Sequence, residues 1–121
     1  MRRALVLAAG LAVIVLGAGC PSMKDPPVNC PSDTPAACPA AMPSFAADVA
    51  PIFSSICASC HTPGQQMGST PLDSYAQIKA EAVTISTELD DCLMPPVNGP
   101  KLSEAQRLTI ETWLVCGAPE N

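Results

Sequence analysis

The chain has 121 residues and a formal charge of −5, with 48% apolar and 14% charged side chains. That length gives room for one small domain, and so acidic a balance excludes a nucleic-acid binder, whose phosphates demand Lys and Arg. Only four aromatic residues are present, Phe45, Phe53, Tyr75 and Trp113; this is thin for a self-sufficient core, and a large apolar cofactor would fill the gap.

Arg2 and Arg3 give the start a positive head, and Ala4 to Gly19 then run uncharged and mostly apolar, ending in Gly17-Ala18-Gly19. That is the layout of an export signal over residues 1–19. The apolar run is short for a membrane span, which needs roughly 20 residues, although a retained anchor helix is the alternative. Small residues followed directly by Cys20 resemble the lipobox of bacterial lipoproteins, in which the cysteine becomes the mature N-terminus and carries lipid. Leu16 stands four residues before Cys20, where that family usually has it three before. The resemblance implies export to a periplasm-facing position, with Cys20 holding the chain to a membrane. Removal of residues 1–19 takes both N-terminal arginines. It leaves 102 residues with four basic and eleven acidic side chains, a formal charge of −7 that suits a basic partner.

Seven cysteines in an exported chain point to oxidising chemistry. With Cys20 assigned to lipid and the Cys57/Cys60 pair set aside, Cys30, Cys38, Cys92 and Cys116 remain. An even remainder fits two disulfides in any of three pairings.

Residues 20–43 read as a tether. Positions 21–43 hold seven prolines and almost no large apolar side chain, and proline fixes φ and lacks an amide donor. Cys30 and Cys38 could close a small loop within it. The folded domain then spans 44–121. Asp48 is a candidate N-cap with Pro51 in the first turn, and Val49, Ile52, Phe53 and Ile56 follow on one helical face that runs into Cys57. A second helix is expected at about 74–82, where Ser74 and Gln77 form a possible capping box and Tyr75, Ile78 and Ala82 share a face. The third and clearest begins at Ser103 with Gln106 in the same relation and stops at Gly117, two residues before Pro119. Along it Glu104, Arg107 and Glu111 fall in one narrow sector, which leaves Ala105, Leu108, Trp113 and Cys116 to face inward. Gly- and Pro-rich loops at 62–72 and 90–102 join the helices. No alternating pattern predicts a strand, so the fold expected is all-α.

The sequence Cys57-Ala58-Ser59-Cys60-His61 contains the only histidine of the chain. Three chemistries compete for it. In covalent haem attachment, sulfurs at i and i+3 point the same way and reach two vinyl groups, while the next residue is aimed at the iron. In thiol–disulfide exchange, a Cys-x-x-Cys pair lowers one thiol pKa and opens a helix after a strand; here it follows a helix and no strand is evident. Structural zinc needs four ligands, and three crowded ones are all the motif supplies. Haem is the strongest reading. For a sixth iron ligand, Met67 lies only six residues after His61, whereas Met94 lies 33 residues on, ample chain to wrap a ring. Pro95 and Pro96 stiffen the backbone behind it.

The stretches "DVAPIFSSICASCH", "CLMPP" and "LSEAQRLTIETWLVCGAP" resemble a bacterial branch of the class I cytochrome c family over roughly residues 44–119. The resemblance implies a small domain of three or more helices around one covalent haem c. Cys57 and Cys60 would bind the ring, His61 the proximal face of the iron and Met94 the distal face. The first and last helices would meet around Phe53 and Trp113. Cys92 and Cys116 lie outside the general class I pattern; paired, they would pin the Met94 loop to the last helix. The expected disulfides are therefore Cys92–Cys116 and Cys30–Cys38.

The function this implies is that of a membrane-anchored electron carrier, not an enzyme. Iron would cycle between Fe(II) and Fe(III) for partner redox proteins, and the 62–72 loop would border an exposed ring edge. Met/His ligation raises the potential relative to two nitrogen donors. The alternatives are a haem-free dithiol redox protein using Cys57 and Cys60, and a haem enzyme or sensor with a displaceable Met94.

Overall fold

Ser44 takes an extended backbone (φ −79°, ψ 136°) and opens a helical run over residues 45–57 in the computed structural model, which describes residue 31 and residues 34–64 and 70–121. The Ser44 hydroxyl accepts from the amide of Ala47 at 3.3 Å, and the Ser44 amide donates to Asp48 Oδ2 at 2.8 Å. The cap is thus Ser44, four residues before the expected Asp48, which instead closes the reciprocal bond from inside the first turn. The run is wound wide at both ends. Phe45–Val49 and Phe53–Cys57 are π-helical turns flanking a short α1, Ala50–Ile52. Val49 donates to the Ser44 carbonyl and Ala58 to that of Phe53, both five residues back. Pro51 sits at the junction, where its ring would crowd a tighter turn and where it has no amide to offer. Val49, Ile52, Phe53 and Ile56 all point into the core, as their spacing predicts.

Ser74 caps α2, Tyr75–Ala80, by accepting from the Gln77 amide; the Gln77 side chain returns to the Asp73 amide at 3.3 Å. Glu81 (φ −97°, ψ 9°) interrupts the winding, and α3, Ala82–Asp90, continues beyond the helix expected to end at about 82. The last helix, α4, Glu104–Val115, has the full capping box: Gln106 amide to Ser103 hydroxyl at 3.2 Å, and Ser103 amide to Gln106 Oε1 at 2.9 Å. It ends with Gly117 at φ +84°, the left-handed region that favours glycine. The amides of Gly117 and Ala118 there reach back to Leu114 and Trp113.

α3 packs on α4, and α4 crosses the first π turn. Trp113, Phe53, Val49, Ile110 and Ile78 form one buried core. The Phe45 ring lies between Tyr75 (5.0 Å) and Trp113 (5.5 Å). Both polar tips are satisfied: Tyr75 donates to the Ala118 carbonyl, and Trp113 to that of Pro119. Asn121 closes the domain on its own start, accepting from Ser44 and from the amides of Phe45 and Ala46. Among the described residues there is no strand, and no helix is long and apolar enough to cross a membrane. Residues 1–19, Cys20, Cys30 and Met67 lie outside the described residues.

Two expectations need correction. Cys116 pairs with Cys38, Cα–Cα 4.7 Å, so neither Cys92–Cys116 nor Cys30–Cys38 forms. Cys92 lies against Arg107, nine residues before Cys116 on α4. Nine residues are roughly 13 Å of helix, beyond the reach of a disulfide. The second correction concerns the faces of α4. Glu104 is exposed, but Arg107 and Glu111 are buried, while Ala105 and Leu108 face outward. Glu111 Oε1 accepts from Arg107 Nε at 2.7 Å and forms an ion pair with Nη2 at the same distance, and this pairing permits the burial. Thr34 reaches in from the Pro-rich segment to the same carboxylate. Positions 34–43 therefore form a strap attached to α4 at two points, and the part of the tether from 34 onward is docked.

Candidate functional site

The end of the second π turn sets the CxxCH segment. The amides of Cys60 and His61 both return to the Cys57 carbonyl, at 3.1 and 2.9 Å, and form a tight reversal. The Leu72 amide then donates to the His61 carbonyl at 2.8 Å. His61 Nδ1 lies 2.9 Å from the Thr70 carbonyl oxygen. A carbonyl can only accept, so Nδ1 donates, and in the neutral ring the lone pair falls to Nε2. This is how proteins commonly fix a metal-binding imidazole: the second nitrogen is held by a backbone carbonyl.

Met94 comes from the loop that follows α3. The amides of Leu93 and Met94 both donate to the Glu88 carbonyl, at 2.9 and 3.1 Å, so the last turn of α3 carries the loop. Cys92 makes the turn with φ +53°. A cavity of about 220 Å³ is lined by Cys57, His61 and Met94, with Phe53, Leu72 and Leu89 among its apolar walls. A nitrogen donor, a thioether and a thiol thus share one largely apolar hollow. A second cavity, of about 380 Å³, shares Leu89, Met94, Pro95 and Leu102 with the first and is also bordered by Pro31, Cys92 and Arg107.

The two cysteines of the motif differ. Cys57 is free, and burial pushes its thiol from 9.0 up to about 11. Cys60 is disulfide-bonded and does not line the cavity. Three of the four expected haem-binding residues therefore come together, and the fourth stands apart. The donor set fits a haem iron: an imidazole and a thioether border one hollow whose lining holds no Lys or Arg. Two thioethers would further require the Cys60 disulfide to be reduced. The hollow is also smaller than the 300–1,000 Å³ common for ligand sites, so a macrocycle would part its walls on entry. Among the described residues, no three His, Cys, Asp or Glu side chains converge as a metal site.

Sequence reasoning missed the contribution of α3. Glu81, Thr84, Ile85 and Glu88 line the cavity, and Glu88 Oε2 is buried with no hydrogen-bond partner. The available signal was Ala82, Ile85 and Leu89 at i, i+3 and i+7, a helical stripe obscured by β-branched neighbours. Comparison with protein-family models, with curated proteins and with solved structures finds no match to this chain.

Proposed function

We propose that this chain is a monohaem c-type cytochrome that carries single electrons, exported and held to a membrane by lipid on Cys20. The observation that carries the reading is the pairing of His61 and Met94 on one apolar cavity, with His61 Nδ1 tied to a backbone carbonyl. The CxxCH spacing and its resemblance to class I cytochromes c support it from the sequence side.

Bound haem would supply the Fe(II)/Fe(III) couple. His61 would hold the proximal position, oriented by Thr70. Met94 would hold the distal position, carried by Glu88 through two backbone hydrogen bonds. Cys57 and, once reduced, Cys60 would bond the ring. With His61 and Met94 both holding the iron, small molecules would be kept from it, which would suit transfer between partner redox proteins and not catalysis. Phe53, Leu72, Leu89 and Ile110 supply the apolar part of the wall around the hollow, beside the carboxylates of Glu81 and Glu88. A haem-free dithiol function is disfavoured by Cys57. An exchange-active Cys-x-x-Cys lowers its thiol pKa, whereas this one is raised.

The test is maturation in a bacterial host able to attach haem. The expected product is red, keeps its haem after denaturation, and has a mass that adds one haem to the polypeptide. Met94→Ala should retain the covalent haem and lose the weak far-red absorption of sulfur bound to iron. A colourless wild-type product overturns the proposal.

A further inference from the structure

Cys92 is disulfide-bonded, and so are Cys38 and Cys116, which hold each other. Cys57 is free and is therefore not the partner of Cys92. Cys20, Cys30 and Cys60 remain, and geometry separates them. Pro31 and Cys92 border the same second cavity. Pro31 follows Cys30 directly, and neighbouring Cα atoms are only about 3.8 Å apart across a trans peptide. Three residues further on, the Thr34 hydroxyl lies 2.5 Å from Asp90 Oδ1, two residues before Cys92. The strap thus meets the Cys92 turn at Pro31 and again at Thr34, and Cys30 is the cysteine beside the first of these points. Cys60 lines neither cavity, and Cys20 stands eleven residues before Pro31.

We propose that Cys30 and Cys92 form a disulfide that staples the start of the strap to the Met94 loop. One step rests on the electron-carrier reading: lipid takes Cys20, and haem takes Cys57 and, once reduced, Cys60. Of the three pairings then open to Cys30, Cys38, Cys92 and Cys116, the Cys38–Cys116 bond leaves only this one. The position of Pro31 points to the same pair without that step. As the S–S bond forms, each thiol gives up a proton and an electron. Both electrons pass to a disulfide oxidant of the exported compartment, which leaves as a dithiol. The bond also suits the turn it joins. Cys92 has φ +53°, a left-handed conformation uncommon for a residue with a side chain, and such a conformation persists where its surroundings fix it. Together the two bonds fasten the strap to both helices of the α3–α4 pair. Cys92 follows the end of α3, and Cys116 caps the end of α4.

The experiment maps the bonds of the full matured chain by mass. Free thiols are blocked first, and the unreduced protein is cleaved before aspartate and after lysine and arginine. Cuts at Asp33, Asp48, Asp91 and Lys101 place Cys30, Cys38, the Cys57/Cys60 pair, Cys92 and Cys116 on separate peptides. The expected product is residues 25–32 joined to residues 91–101, with the mass of both peptides less two hydrogens, beside 33–47 joined to 108–121. Reduction should release each peptide from its partner. Haem belongs on residues 48–72; a colourless peptide there refutes the functional reading alone, and a 25–32 peptide joined to 91–101 still upholds the disulfide. Residues 25–32 recovered with a blocked thiol, or joined to any peptide but 91–101, overturn the inference. Stability gives a second reading that needs no peptide map. Cys30→Ser and Cys92→Ser should each lower the urea midpoint, and the double substitution should lose little more than either alone, because all three remove one bond. Losses that simply add overturn the inference as well.

Discussion

Cys57 shows how one side chain reports its surroundings through its proton. The fold accepts the thiol and resists the thiolate, because burial removes the water that would stabilise the charge. In the unfolded chain the same group ionises near 9.0, and in the fold near 11. Between those values the unfolded state binds fewer protons, so raising the pH favours unfolding. The haem-free chain should therefore lose stability as pH climbs from about 9 toward 11, with no Cys57 contribution below 9. Urea midpoints for wild type and Cys57→Ala, measured at about pH 8 and about pH 10.5, isolate the effect from other groups titrating there. A Cys57→Ala protein that loses as much as wild type over that interval contradicts it. That His61 and Met94 would meet at one cavity was legible in the sequence, because a motif and a proline pair mark them. The Cys38–Cys116 partnership was not, since it depends on how far along α4 the strap comes to rest.

Among the elements, α4 shows what helical periodicity can and cannot reveal. Its start was legible, because Ser103 and Gln106 satisfy each other's backbone amides within one turn and need nothing from the rest of the fold. Its inward face was misread, because charge was taken as a mark of solvent. Arg107 and Glu111 neutralise one another under the strap, and Leu108 takes the outer surface. Replacing Glu111 by Ala leaves that guanidinium buried without its main partner and should cost about 3–5 kcal/mol. Denaturant unfolding measures it; a loss below about 1 kcal/mol would mean that Arg107 escapes to water. The helix α3 escaped notice for a different reason. Val83, Thr84, Ile85 and Thr87 are β-branched and weak helix formers, and packing on α4 overrides them. Thr87 satisfies its hydroxyl on the Val83 carbonyl. With α3 unseen, the acidic lining of the cavity went unseen too.

At the scale of the whole molecule, the ends of the domain are drawn together. Asn121 grips the first turn, and the Cys38–Cys116 bond closes a separation of 78 residues. Replacing both cysteines by Ser should lower stability by about 2–4 kcal/mol, read as a shift in the urea midpoint, and an unchanged midpoint would show that the clasp at Asn121 suffices. The all-helical character of the described residues was legible from the absence of alternation and the caps at Ser74 and Ser103. The docking of the strap was not, because proline content predicts a lack of helix and says nothing about adhesion.

That docking shortens the leash. If Cys20 is fixed in a lipid surface, covalent reach is counted to Thr34 and no longer to Ser44. Fourteen residues span at most about 50 Å, against about 86 Å for twenty-four. The domain would then patrol only a thin shell above the bilayer, and whatever exchanges electrons with it must be embedded there or must come down to meet it.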